Sequence, residues 1–415
     1  PAGGRALRHR PAGLGALTIA GFNCQNRHQG HWHTATQRPK PLPLTNDMDS
    51  PCFHGIHVPH LRRRHLQSEA GGVIMNVTAI GIDLAKTVFS IHDTNQHGKV
   101  TVRKRLNRPK LLAFFAQLPP CLIGMEACSG AHYWARELTR IGHDARIIAP
   151  RFVAPYRKSS KNDDNDAEAI CEAVGRPNMR FVPIKTEDQQ ATLCLHRIRR
   201  GLTKERTAQI NQIRGLLAEF GLIIPQGRYA ARRRVPEILE DAENGLPMLA
   251  RRLLNNINLR ILQLDEEILA YDREIEAMAR RDEKAKRLMA IPGIGPQTAT
   301  ALLASAPDPG QFKSGRHFAA WLGLVPRQYS TGGKVRLGRI TKRGDKYLRT
   351  LLIHGTRAVI AKLPDKQDRL SHWARDLVER RGYKRAAVAL AAKNARIVWA
   401  LLMNQTEFKA QPVAG

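Results

Sequence analysis

Hydrophobic and polar residues follow a regular pattern along most of this chain, and the period of that pattern changes from one segment to the next. From Val77 onward, short apolar runs of strand length alternate with stretches of helical periodicity. The pattern predicts strands at 77–84, 87–92, 99–105, 122–126 and 145–148, and helices at 109–117, at 132–141 and from about Asp163.

Three antiparallel strands followed by alternating helices and strands are typical of a ribonuclease-H-like α/β domain. From Glu187 to about Met289 the pattern becomes helical and highly charged. There, eight apolar residues alternate spacings of three and four between Leu254 and Met278, which predicts a coiled-coil seam. The seam could join two chains or fold against the helix at 198–217, and the sequence does not choose between these.

These patterns divide the chain into five segments. Residues 1–74 are rich in His, Arg, Pro and Gly and lack periodicity, so we expect a disordered or non-native extension, with Met75, or else Met48, as the start of translation. The other segments are an α/β domain at 75–186, a helical coiled-coil region at 187–285, a second, helical domain at 286–404 and a tail at 405–415.

Composition indicates the substrate class. The chain has 67 Lys and Arg against 36 Asp and Glu, a formal net charge of +31, which attracts polyanions such as nucleic acid. The six cysteines include no Cys-x-x-Cys spacing, so we expect neither a zinc site nor a disulfide framework but reduced thiols in the cytoplasm. Because no apolar run approaches the roughly 20 residues of a membrane span, we expect no membrane partner.

Carboxylates gather in one part of this basic chain. Asp163 and Asp166 are three residues apart, so both project from one helix face. Their mutual repulsion is most simply relieved by a divalent cation. Asp83 and Glu126 each end an apolar, strand-like run. Acids at strand ends together with an acidic pair at a helix start are typical of a metal site that cuts phosphodiesters.

Two further motifs suit nucleic acid. Gly293 and Gly295 fall between two helical segments, where exposed backbone N–H groups can bind a phosphate. This helix-hairpin-helix pattern is typical of DNA binding without sequence preference, although a purely structural turn stays open.

Ser330 stands in a Gly-rich segment that we expect to be a flexible loop. Cations there can stabilise the charge that builds on a phosphate under attack, but a lone loop serine can equally be a turn residue. The basic residues that we expect to contact nucleic acid in this segment are Arg327, Lys334, Arg336, Arg339, Lys342, Arg343, Lys346 and Arg349.

Four motifs together resemble one protein family. They are Gly81-Ile-Asp83, Met125-Glu126-Ala127, residues 161–169, and Gly323-Leu-Val-Pro326 through Arg349. The chain is similar, from 75 to about 402, to transposases of the bacterial insertion-sequence family one-hundred-ten, in its one-one-one-one subgroup, called DEDD transposases.

The resemblance implies a mechanism. A RuvC-like domain would hold Mg²⁺ through Asp83, Glu126, Asp163 and Asp166, with the neighbouring Asp164 and the turn residue Asp93 outside the set. Ser330 matches the family's serine because it lies between Pro326 and the Gly332-Gly333 pair, with Thr331 as the near competitor.

The resemblance also implies partners. A covalent serine–DNA link would carry strand exchange, and a structured RNA encoded by the element, a bridge RNA, would pair with donor and target DNA. Dimers would pair into a tetramer, with the RuvC-like domain of one subunit meeting the serine domain of another.

Two other functions remain open on the sequence. A RuvC-like junction-resolving nuclease would cleave with metal-activated water and need no serine. A basic nucleic-acid-binding protein without catalysis would need neither the serine nor the acids.

Overall fold

The computed structural model describes residues 79–411 except Gln96, Gly98, Lys161 and Pro307, and leaves the side chain of Asp365 undescribed. The expected extension at 1–74 and the expected start of translation at Met75 therefore lie outside the described residues.

The amino-terminal part contains a mixed six-stranded sheet with strand order β3-β2-β1-β4-β5-β6. Strands β1 to β3 are antiparallel neighbours, β1, β4 and β5 run parallel, and the short β6 is antiparallel to β5. The strands are β1 (Ala79–Leu84), β2 (Val88–Thr94), β3 (Val100–Asn107), β4 (Leu122–Glu126), β5 (Asp144–Ile148) and β6 (Phe181–Val182).

Helices cover both faces of this sheet. One face packs on α1 (Leu111–Phe115) and α2 (Ala131–Arg140), around the fully buried Phe89 and Phe115. The other face packs on α3 (Pro150–Val153) and α4 (Asp163–Val174). The predicted order of strands and helices is present, whereas α3 and β6 were not predicted because each is four residues or shorter.

Three long helices follow. They are α5 (Glu187–Ala218), α6 (Arg228–Glu240) and α7 (Met248–Arg281). The predicted seam lies on α7, and its buried residues Leu254 and Ile261 pack with Ile210 and Leu217 of α5. The sequence left open whether the seam joins two chains or folds against the helix at 198–217. In this chain the seam packs against that helix, α5.

The carboxyl-terminal part is a helical cluster with a two-stranded hairpin. Its core gathers side chains from most of its helices, including Leu302, Phe318, Leu352 and Val398. Its elements are α8 (Glu283–Met289), α9 (Pro296–Ser305), α10 (Gly315–Trp321), β7 (Pro326–Gln328), β8 (Leu337–Ile340), α11 (Lys346–Ala361), α12 (Arg369–Arg381) and α13 (Tyr383–Asn404).

Among the described residues, one helix, α13, is long and apolar enough by length and composition to cross a membrane. The sequence pattern did not predict this helix as a candidate membrane span because charged residues interrupt its apolar run. It packs against α10, α11 and α12, and Leu390, Asn394 and Val398 are fully buried there. These contacts are those of a core helix.

Candidate active site

The register of the sheet places two of the predicted acids side by side. Ile82 of β1 lies opposite Met125 of β4, so the next residues, Asp83 and Glu126, occupy neighbouring positions at the carboxyl ends of two parallel strands. Burial raises the pKa of the Cys128 thiol, and the nearby carboxylates of Asp83 and Glu126 raise it further. Both acids therefore lie close to one point beyond the strand ends.

Two glycines bring α4 close to the same face of the sheet. A Cβ on Gly81 would lie 2.1 Å from the backbone oxygen of Ala167, and a Cβ on Gly124 would lie 2.8 Å from Cβ of Val174. Side chains alternate between the two faces of a strand, so Asp83 and Glu126 share the face of these glycines. That face is the one that α4 covers.

The rows of side chains along α4 bring in the other two acids. Asp163 is one helical turn before Ala167, in the row over β1, and Asp166 is two turns before Val174, in the row over β4. At the far end of the helix, the Cys171 thiol donates to the backbone oxygen of Ala79, where β1 begins. The amino end of α4 therefore lies toward the carboxyl ends of β1 and β4.

The amino end of α4 is fixed by a side-chain cap. The carbonyl oxygen of the Asn162 side chain accepts a hydrogen bond of 2.7 Å from the backbone N–H of Asn165. Acidic residues in the first turn also suit the positive end of the helix dipole. The cap fixes where the helix begins and hence the positions of Asp163 and Asp166.

Asp166 is paired with an arginine. Its Oδ1 lies 2.5 Å from Nε of Arg157, and the carboxylate is only 9% exposed. Asp163, in contrast, is exposed at the helix start. Arg157 has extended backbone just after the short 3-10 helix Ala154–Tyr156, and no sequence pattern marks it as a partner of Asp166.

The four acids share one end of one sheet face but do not close around a single point. Within residues 79–411, apart from the four undescribed positions, no three His, Cys, Asp or Glu side chains are grouped closely enough to hold a metal ion. The Arg157 guanidinium compensates the charge of Asp166. Carboxylate oxygens are nonetheless the ligands that Mg²⁺ prefers, so the donor chemistry fits that ion.

Asp164 makes contacts of a different kind. It accepts a hydrogen bond of 3.0 Å from Ser90 Oγ and two of 3.1 Å from the guanidinium of Arg105. The hydrogen bond from Arg105 is the main cause that lowers the pKa of this carboxyl. Asp164 thus fastens the start of α4 to β2 and β3, next to the acids but turned to other partners.

Asp93 differs from its predicted place in a turn. It lies within β2, is 1% exposed and accepts a hydrogen bond of 2.5 Å from Thr101 Oγ1. Burial raises the pKa of this carboxyl. The strand runs past the predicted end at residue 92, to Thr94, with a register shift between Asp93 and Thr94.

Ser330 lies in the connection between the two strands of a β-hairpin, outside both strands. Strands β7 and β8 pair, and Thr331 bridges to Lys334 across the turn. Gly332 and Gly333 have φ of 54° and 76°, the left-handed values that a two-residue hairpin turn needs and that glycine adopts most easily. Ser330 is exposed, and its Oγ accepts a hydrogen bond of 2.9 Å from Gln328 Nε2.

The basic residues around Ser330 fall into two groups. Arg349 is 8% exposed, and its guanidinium donates to the backbone oxygens of Leu322 and Gly344 at 3.1 Å. Arg349 therefore holds the base of the hairpin and is not placed to contact nucleic acid, which corrects its predicted role. The exposed group is Arg327, Lys334, Arg336, Arg339, Lys342, Arg343 and Lys346.

One of the two glycines in the turn between α8 and α9 packs closely against α11. Gly293 has a φ of 87°, and a Cβ on Gly355 of α11 would lie 1.8 Å from the Gly293 backbone oxygen. Gly295 is exposed at the start of α9. Beside the turn is a cavity of about 410 Å³ whose lining includes Asp272 and Glu276. Gly295 is thus the more accessible glycine, while Gly293 serves the close contact of turn and helix.

Comparison with known proteins identifies the family. The family described as "Transposase IS116/IS110/IS902 family" matches residues 285–371, and a DEDD transposase domain of the IS110 type, described as "Transposase", matches residues 80–221. The two matches contain the serine hairpin and the acidic end of the sheet, respectively.

Curated relatives agree with these matches over most of the chain. A "Probable family 20 transposase" of Pseudomonas aeruginosa is 51% identical, over 81% of this chain and 99% of the relative. The transposase for insertion sequence element IS1328 of Yersinia enterocolitica is 45% identical, over 80% and 99%. The transposase for IS1111A of Coxiella burnetii is 42% identical, over 86% and 96%. This chain therefore belongs to the IS110/IS116/IS902 family of insertion-sequence transposases, enzymes that cut and rejoin DNA.

Proposed function

We propose that the transposase cuts and rejoins DNA with a Mg²⁺ site formed by Asp83, Glu126, Asp163 and Asp166 and with Ser330 as the nucleophile. The observation that carries the proposal is the alignment of α4 on the sheet, with the amino end of the helix at the carboxyl ends of β1 and β4. The DEDD transposase domain matched at 80–221 is consistent with a divalent metal. On this proposal the domain has a RuvC-like fold.

The acids need a rearrangement to act together. Arg157 would release Asp166 when the cation binds, because one positive group replaces another beside a nearly buried carboxylate. Bound Mg²⁺ would offset the negative charge of the scissile phosphate. The planar donors of the Arg157 guanidinium would also suit a phosphate oxygen as a partner.

Ser330 would perform the attack. The Gln328 amide already donates to Ser330 Oγ, so the hydroxyl proton is free to leave in another direction. Attack forms an Oγ–P bond and breaks one P–O bond of the DNA backbone. The serine hydroxyl loses its proton and the departing DNA oxygen gains one, which leaves a phosphoserine ester and a free DNA hydroxyl. Attack by the hydroxyl of an exchanged strand on that ester then releases the serine. Exposed cations such as Arg327 and Arg336 offset the phosphate charge throughout.

The nucleic-acid partners follow from charge and family. The net charge of +31 favours phosphate backbones of donor and target DNA and of a bridge RNA that selects them. Delegating sequence choice to base pairing accounts for a chain without a zinc finger or similar base-reading motif. The turn at Gly293 and Gly295 would add a helix-hairpin-helix contact with DNA, mainly through the exposed Gly295. Dimers that pair into a tetramer would bring acids and serine together from different subunits.

A junction-resolving nuclease is the second candidate. It would use the same four acids with water as the nucleophile and leave no protein–DNA bond. The exposed Ser330 would then be an ordinary hairpin residue, held by Gln328.

A trapping experiment separates the two candidates. A nicked substrate that cannot be religated should accumulate a covalent adduct, and mass spectrometry should place the nucleotide on Ser330. Ser330→Ala should lose the adduct, whereas Thr331→Ala, one residue along the same hairpin, should keep it. Normal Mg²⁺-dependent cutting by Ser330→Ala would mean that water attacks.

A further inference from the structure

The hairpin that carries Ser330 has two different faces. Gln328 lies opposite Leu337, and the backbone N–H of Tyr329 donates to the backbone oxygen of Arg336 at 2.9 Å. Residues opposite each other share a face and successive residues alternate, so Ser330 and Tyr329 face opposite ways. The serine face also carries Val335 and Leu337, which are 69% and 64% exposed.

The other face combines one aromatic ring with cations. It consists of Arg327, Tyr329, Thr331, Lys334 and Arg336, together with Gly338. We call it the tyrosine face.

A glycine leaves room for the ring on this face. A Cβ on Gly338 would lie 3.4 Å from Cε2 of Tyr329 and 3.8 Å from Cβ of Arg327. Tyr329 and Arg327 therefore lie next to the glycine, on the same face of the hairpin. Tyr329 remains 61% exposed, so most of its surface is open to a binding partner.

The segment of sequence that forms this face has no acidic residue. Residues 309–344 contain neither Asp nor Glu. The flanking acids are already engaged, because Asp308 accepts from the backbone N–H of Gly310 and Asp345 caps α11 by accepting from Tyr347 and Leu348. An aromatic ring among uncompensated cations suits a ligand that presents both a flat ring and a phosphate.

We propose that the tyrosine face binds an unpaired nucleotide, with its base stacked on Tyr329 and its flanking phosphates on Arg327, Lys334 and Arg336. The proposal rests on the nucleic-acid binding in the proposed function but not on the identity of the nucleophile. Bases in a duplex are covered by their neighbours, so an exposed side chain stacks only on a base that is unpaired or flipped out. Aromatic stacking tolerates any base, as expected where base pairing to an RNA selects the sequence.

A binding measurement on the full chain tests this assignment. The probes are a single-stranded DNA oligonucleotide with 2-aminopurine at successive positions and the same sequence as a duplex. Tyr329→Ala should weaken single-strand binding about tenfold, from the usual contribution of base–aromatic stacking. It should also remove the quenching of 2-aminopurine and leave duplex affinity within twofold. Tyr329→Phe should bind like the wild type because it keeps the ring.

Salt dependence separates stacking from charge. Tyr329→Ala should leave the slope of log affinity against log salt unchanged, whereas Arg336→Gln should reduce the slope by about 0.7 for a single strand. Val335→Ala, on the serine face of the same hairpin, is the matched control and should change neither affinity nor quenching. Thermal melting of each variant checks that the hairpin and its domain stay folded.

Two results would overturn the assignment while leaving the proposed function intact. One is single-strand affinity and quenching in Tyr329→Ala equal to those of the wild type. The other is an equal loss for single strand and duplex, which would indicate general damage to the surface. A wild-type protein that binds no nucleic acid would instead overturn the proposed function itself.

Discussion

The acidic end of the sheet and the basic hairpin position their side chains by different means. Asp83, Glu126 and Asp166 are held by strand register, by two glycines that admit α4 and by an ion pair. Ser330 is held by a two-residue turn and one hydrogen bond to Gln328. Packing therefore fixes the first region, whereas local backbone geometry fixes the second.

The two regions also differ in how their charges are compensated. Asp164 and Asp166 each have an arginine partner within 3.1 Å, because like charges close together need one. The exposed cations of the hairpin lie in a stretch without a single acid. On the proposed function, the first region would exchange one cation for another, and the second would receive an anion.

Removing one acid should abolish cutting without abolishing binding. Asp83→Asn should lower the rate of strand cleavage by at least about 10³-fold, because a site that loses a metal ligand loses several kcal/mol of transition-state stabilisation. DNA affinity should stay within about twofold, since the binding charge lies elsewhere. The control is Asp144→Asn, an exposed acid at the start of β5 that pairs with Arg146, and it should cleave normally. Full activity of Asp83→Asn would remove this residue from the site.

A side chain at position 81 should disturb the packing of α4 on the sheet. Gly81→Ala places a Cβ 2.1 Å from a backbone oxygen, so the helix must shift, at a cost of about 1–3 kcal/mol in the free energy of unfolding. Gly175→Ala is the matched control because nothing lies within 4 Å of its Cβ and its φ is −79°. Urea unfolding monitored by circular dichroism measures both. Equal stabilities of the two variants would mean that α4 does not pack on the sheet as described.

Removing Arg157 should show how much this arginine stabilises the charge of Asp166. Arg157→Gln leaves the nearly buried Asp166 without its cation and should lower stability in metal-free buffer by about 1–3 kcal/mol. Addition of Mg²⁺ should then raise the melting temperature more than it does in the wild type. An Mg²⁺ effect identical in both proteins would argue against exchange of the guanidinium for the metal.

The sequence predicted strands β1 to β5 because segments of four to eight residues with strand-like patterning can be recognised locally. The same pattern singled out Asp83 and Glu126 as acids at strand ends, and their place in a metal site stays a prediction. The heptad spacing predicted α7 but did not decide whether α5 or a second chain packs against it. An apolar stripe does not reveal which surface covers it.

Features that depend on tertiary contacts could not be predicted. Arg157 precedes α4 by six residues and becomes a partner of Asp166 only through the turn between them. Arg349 reads as one more cation in a basic run, and only the packed base of the hairpin shows it bound to backbone oxygens. The Gly332-Gly333 pair does carry a hairpin signal, and two-residue turn chemistry would have identified it.

The smallest effect is expected at Asp164. Asp164→Asn should cleave DNA at close to the normal rate and melt within about 2 °C of the wild type, because the pair with Arg105 is solvent-exposed. The pKa of Asp164 is lowered in the folded protein from its ordinary value of 3.8, so its contribution is present above that pH and is lost as pH falls through the lower value. Thermal melts at neutral and acid pH should therefore converge for the two proteins in acid. A large loss of cleavage would place Asp164 in the metal site.

The central claim is that the sheet and α4 build one divalent-metal site from four carboxylates. Isothermal titration of Mn²⁺ into the full-length protein, followed by competition with Mg²⁺, measures that site without relying on activity. We expect saturable binding in the wild type and in Asp164→Asn, and loss of the same binding in each of Asp83→Asn, Glu126→Gln, Asp163→Asn and Asp166→Asn. Unchanged binding in any of these four variants, or loss in Asp164→Asn alone, would contradict the claim.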